Sequence, residues 1–256
     1  MRKLTATICL LVFFAAAAAW ADWIDEDGHK MHYPQHPDLD GWDIDMTQFV
    51  LADDWRCSQT GFVDDIHFWA SVEYGEQPQI ASINVSIHDN ITAQENPYGD
   101  YSMPGDLLRA WTFNNFAMRP VVNDLWQGWD DPRSSMTAPV CRDQDHRNFW
   151  QINITDISQQ VSNPLKQEIG KIYWLDLQIT ALVADHLIGW KTTDEPWNDV
   201  AVYMNPGGAG AAPWIPVKVC QDDMETDFAF VITPEPATIA ILGIGSMLLF
   251  SRRRRR

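Results

Sequence analysis

Apolar and polar residues alternate with a period of two through much of the chain, the pattern of strands half-buried on a sheet. Ile66, Phe68, Ala70 and Val72 interleave with His67, Trp69, Ser71 and Glu73. Ile83, Val85 and Ile87 interleave with Ser82, Asn84, Ser86 and His88, and Gly75 and Pro78 punctuate the gap between the two runs, which predicts a hairpin. Trp150, Ile152 and Ile154 follow the same rule, as do Tyr173, Leu175, Leu177, Ile179 and Ala181 opposite Trp174, Asp176, Gln178 and Thr180. Shorter strands are expected at 49–52, 107–113, 200–203, 217–219 and 228–232. With loops rich in Pro, Asn, Asp and Gly between them, these segments predict an all-β fold, an antiparallel β-sandwich of jelly-roll type.

Helical character is confined to the two ends. Arg2 and Lys3 precede an apolar run over 4–19, and Ala19-Trp20-Ala21 supplies small residues at −3 and −1, so 1–21 reads as a secretory signal peptide cleaved after Ala21. At the other end Thr233-Pro234-Glu235-Pro236 leads into an uncharged stretch, 237–250, and then a basic tail, 251–256, that closes on five arginines. As a helix the uncharged stretch reaches only ~21 Å against a hydrocarbon thickness of ~30 Å, a short transmembrane span that needs snorkelling arginines or local thinning. The arginines place that end in the cytoplasm and the body outside. The expected organisation is a signal peptide (1–21), one β-sandwich domain (22–232) and a C-terminal sorting segment (233–256).

The Pro234-Glu235-Pro236 tripeptide, the Gly243-Ile244-Gly245 span and the arginine cluster together resemble the PEP-CTERM sorting signal of exported bacterial proteins. That resemblance implies secretion, a membrane-anchored intermediate, processing near the tripeptide by a membrane-embedded exosortase, and delivery to the cell surface or extracellular matrix. Several pieces of the body are similar to an uncharacterised domain found on PEP-CTERM proteins of planctomycete-type bacteria: Gly28-His29-Lys30-Met31-His32, Gly41-Trp42-Asp43, Leu51-Ala52-Asp53-Asp54-Trp55, Asp65-Ile66-His67-Phe68-Trp69, Ile172-Tyr173-Trp174-Leu175 and Gly189-Trp190-Lys191-Thr192. This second resemblance carries no activity and no catalytic residues with it.

Charge narrows the partners. The formal charge is −17, and residues 22–236 keep all 35 acidic residues but only 11 of the 18 basic ones, so the exported part is more acidic still. Such a surface repels phosphodiester backbones, which excludes sequence-independent nucleic-acid binding. Three cysteines follow the signal, Cys57, Cys141 and Cys220; an oxidising compartment permits one disulfide among them, with three pairings open.

Three kinds of chemistry remain as candidates. Asp25, Glu26, Asp27, His29, His32, His36, Asp38, Asp40, Asp43 and Asp45 form an oxygen- and imidazole-rich segment suited to calcium, yet the EF-hand register fails at His36 and Thr47 and Pro34 interrupts any helix that would align the histidines. Thirteen tryptophans are many for this length, and Trp69 and Trp174, opposite the aliphatic rows of their strands, are candidate ligand contacts for polysaccharide. Asp53, Asp54, Asp64 and Asp65 flank predicted strands and could supply the carboxylate pair of a glycosidase. No nucleophile elbow and no phosphate-binding loop is present. The expected function is therefore a non-catalytic structural or glycan-binding protein of the surface or matrix, with a secreted carbohydrate-active hydrolase as the alternative.

Overall fold

The computed structural model describes residues 33–133, 140–204, 212–220 and 224–234, and their regular structure is almost wholly β. The strands are β1 (Trp42–Asp45), β2 (Leu51–Arg56), β3 (Gly61–Val72), β4 (Ile80–Ile91), β5 (Met103–Phe113), β6 (Ala117–Val121), β7 (Gln127–Asp130), β8 (Arg142–His146), β9 (Phe149–Ile154), β10 (Lys166–Gln167), β11 (Ile172–Ala181), β12 (Ile188–Lys191), β13 (Val202–Met204), β14 (Trp214–Pro216), β15 (Lys218–Val219), β16 (Met224–Glu225) and β17 (Phe230–Pro234). A single-turn helix, α1 (Ile157–Gln160), follows β9.

Two sheets face each other. The first runs β6-β9-β3-β12-β1-β7-β8, with β10 and β17 also paired to β3; the second runs β14-β13-β2-β11-β4-β5. The alternation of the strands dictates which side chains meet between them: Ile44, Ile66, Phe68, Ile152, Trp190 and Phe230 from the first sheet against Leu51, Val85, Leu175, Leu177 and Tyr203 from the second. Trp190 stacks on Phe228 at 4.6 Å and meets Phe68 and Phe230 edge-on.

Two expectations are corrected. The runs at 66–72 and 82–88 do not form a hairpin. β3 belongs to the first sheet and β4 to the second, because Tyr74 (φ 65°) and Gly75 (φ 80°) both take left-handed backbone and turn the chain across the sandwich. Nor is the pairing wholly antiparallel, since β1 and β7 run parallel. The disulfide joins Cys141 to Cys220, and Cys57 keeps a buried free thiol. Among the described residues no helix is long and apolar enough to cross a membrane; the signal segment, the tripeptide beyond Pro234 and the C-terminal span lie outside them.

Candidate functional site

The residues singled out from sequence go to different places. Trp69 and Trp174 do sit on the outer faces of their sheets, as the alternation predicts, but neither faces solvent: they are 4% and 0% exposed. Trp174 packs among Ala52, Met103, Val202 and Trp214 and donates its indole N–H to Asn90 at 2.8 Å, while Trp69 packs with Phe149, Ala229 and Val231. An open aromatic platform at these two positions is therefore ruled out by packing. In the N-terminal segment, 25–32 lies outside the described residues, and the rest disperses. His36 pairs with Glu195, Asp38 accepts from the Asp40 amide, Asp45 accepts from the Thr47 amide, and Asp43 joins a buried pair with Lys191.

The acidic candidates divide by strand geometry. Asp64 and Asp65 anchor neighbouring segments: Asp64 accepts from the Ser158 amide, and Asp65 accepts from the Asp156 amide and the Thr233 hydroxyl. Asp53 and Asp54 are successive residues on β2 and so point to opposite faces. Asp53 turns between the sheets, where its carboxylate accepts from the amides of Asp54 (2.7 Å) and Phe228 (2.6 Å) and from Gln35 Nε2 (3.2 Å). Asp54 turns outward to the floor of a cleft of about 370 Å³ whose walls include Tyr33, Gln35, Arg56, Ser58, Ile169 and Trp197.

Local structure explains how those walls are held. Gly170, at φ 86°, makes the turn before β11 and donates to the Cys57 carbonyl at 2.8 Å, which presents Ile169. On the other side Asp227 accepts from the backbone amides of Trp197 (2.8 Å) and Ala201 (3.2 Å), so one buried carboxylate fixes the loop that carries Trp197, Asn198 and Asp199 over the edge of β2. Asn198 donates its side-chain amide to Asp54 Oδ2, and Asp199 accepts from the Ser102 hydroxyl.

Four aspartates thus share a small region. Burial raises Asp54 to about 8, helped by the charges of Asp199 and Asp227 and opposed by the Asn198 hydrogen bond. Asp53 is also raised well above the ordinary carboxylate value by burial and by Asp227 and Asp54 beside it, and Asp227 is raised to about 6, chiefly by burial. At neutral pH Asp54 is a neutral carboxylic acid, able to donate and accept. The residue is 1% exposed and its Oδ1 has no hydrogen-bond partner among the described residues. A buried acid with one unmatched oxygen beside two partly exposed aromatic rings has the composition of a site for neutral, hydroxyl-bearing ligands.

A family model described as "Domain of unknown function (DUF7901)" matches residues 31–233, and a model of the PEP-CTERM protein-sorting motif matches residues 233–256. No curated protein and no solved structure matches the chain.

Proposed function

The chain belongs to the DUF7901 family and ends in a PEP-CTERM sorting motif, and from that premise we propose that it is a non-catalytic glycan-binding component of the cell surface or extracellular matrix. The motif marks an exported protein, membrane-anchored before exosortase processing. Release at the surface brings the β-sandwich into contact with extracellular polysaccharide, and the cleft over Asp54 is the binding site.

The observation that carries this reading is the combination of Tyr33 and Trp197 with the buried Asp54 at one cleft. Aromatic faces pack on the apolar faces of sugar rings, while the neutral acid and Gln35 meet hydroxyls. Cleavage of a glycosidic bond requires two carboxyl groups flanking it. Among the described lining residues Asp54 is the sole carboxylate, and Asp53 points away from it, which favours binding over hydrolysis. Screening the chain against immobilised neutral and acidic polysaccharides tests the proposal. Retention of a neutral glycan without release of reducing sugar is expected; release of reducing sugar would favour the hydrolase, and no retention at all would remove the binding function.

A further inference from the structure

On the outer face of the first sheet lies a buried polar group that the binding site does not use. Lys191 on β12 is fully buried and stands directly across from Asp43 on β1, in register in an antiparallel pair. Its Nζ lies 3.4 Å from Asp43 Oδ2, and Asp43 is itself fully buried, with Oδ1 unpartnered among the described residues. His146 Nε2 reaches the same Oδ2 at 3.1 Å, and His146 Nδ1 meets Asp145 Oδ1 at 3.0 Å. A carboxylate oxygen only accepts, so an imidazole held between two of them carries a proton on each nitrogen. Apolar rings shield the group. Lys191 Nζ lies 5.7 Å from the centre of the Phe149 ring, and Trp129 crosses β12 at Gly189, where a Cβ would come within 2.8 Å of the indole.

We propose that Lys191 and Asp43 are a covalent modification site, condensing within the folded chain to an isopeptide bond between Lys191 Nζ and Asp43 Cγ. The lone pair of the uncharged amine attacks Cγ, forming the C–N bond; the C–Oδ2 bond breaks, and the departing oxygen takes one proton from the amine and one from His146 Nε2 and leaves as water. Amine, carboxylate and imidazolium become amide, neutral imidazole and water, with no change in charge and no oxidant or activated donor.

The fixed contact of amine and carboxyl and the burial around them favour this step. Burial lowers Lys191 below the ordinary amine value despite the attraction of Asp43, which increases the share of the nucleophilic form. Burial also works against a charged His146, but its bonds to Asp145 and Asp43 outweigh that and raise it to about 9, so it holds the proton that the leaving oxygen needs. Fixing amine against carboxyl gives an effective concentration on the order of 10⁵–10⁸ M, and the amide removes a buried ion pair whose desolvation is costly. The link closes a loop across a sequence separation of 148 residues and ties β1 to β12.

Peptide mapping of the full chain after reduction and tryptic digestion reads the bond directly. A modified Lys191 resists cleavage, so the expected product is a branched species joining residues 31–56 to residues 172–218, lighter by one water than the two peptides together. A Lys191→Arg chain keeps the positive charge and lacks the amine, and should give no branched species. Full recovery of linear 31–56 and 172–191 from the unaltered chain would overturn the proposal, as would a branched species that persisted in Lys191→Arg. The outcome is independent of glycan binding, so either proposal can fail alone.

Discussion

Asp54→Asn isolates the energetic cost of the acid under the cleft. A carboxyl group whose value is higher in the folded than in the unfolded chain leaves the fold most stable when both states are protonated, and stability is lost as pH rises from the unfolded value toward the folded one. For Asp54 that window runs from 3.8 to about 8. Each pH unit within it corresponds to about 1.4 kcal/mol, so near pH 7 the aspartate costs the fold roughly 4 kcal/mol relative to a neutral side chain of the same shape. The asparagine keeps an oxygen for the Asn198 amide and cannot ionise. Urea unfolding of both chains should show the variant more stable near pH 7, with the gap closing as pH falls toward 4. A gap that did not change with pH, or a variant less stable at every pH, would refute the assignment of a neutral buried acid at this position. A polar group retained at such a cost beside a cleft is the pattern expected of a ligand contact, since binding surfaces commonly trade stability for function.

Other consequences are simpler to check. Cys141→Ser opens a loop with a sequence separation of 79 residues and should cost about 4 kcal/mol, seen as a fall in Tm of roughly 10 °C that matches the effect of reductant on the unaltered chain. Trp190→Ala removes the ring stacked on Phe228 and should cost about 3–5 kcal/mol in chemical unfolding. Replacing Pro234-Glu235-Pro236 with alanines should leave the protein membrane-held; an unchanged released fraction on a blot would contradict the role given to the tripeptide.

The strands most legible in the sequence were those with one aliphatic face, such as β4 and β11, where Ile83, Val85 and Ile87 pair across to Ile179, Leu177 and Leu175. β1, β7 and β12 were not, for two physical reasons. Asp43 and Lys191 stand at outward positions and Asp130 at an inward one beside Ile44, polar groups that are buried because they pair across strands or bond to backbone, as Asp130 does with the Cys220 amide. The glycines of these strands look like turn residues, yet Gly128 makes room for Trp42, whose ring lies 2.3 Å from where a Cβ would be, and Gly189 does the same for Trp129. The missed hairpin has the same lesson in another form: periodicity assigns a face to each strand but does not say which sheet it joins.

The site was less legible than the fold. Asp54 stood among the acidic candidates, but nothing local separated it from Asp53, Asp64 or Asp65; their roles follow from the donors each one meets, backbone amides for Asp53, Asp64 and Asp65 and the Asn198 side chain for Asp54. Tyr33 and Trp197 were missed because the cleft is assembled from segments near 33, 54, 169 and 197 that only the completed sandwich brings together. Trp197 carried one signal that could have been read, an isolated aromatic in a polar turn, Asp194-Glu195-Pro196-Trp197-Asn198, outside any alternating run.

The binding role of the cleft is tested most directly by comparing the unaltered chain with Trp197→Ala for retention on immobilised neutral polysaccharide near pH 6. Loss of the indole should weaken retention about tenfold or more, as removal of an aromatic anchor does, while leaving the urea midpoint within error. Equal retention by the two chains would contradict the account.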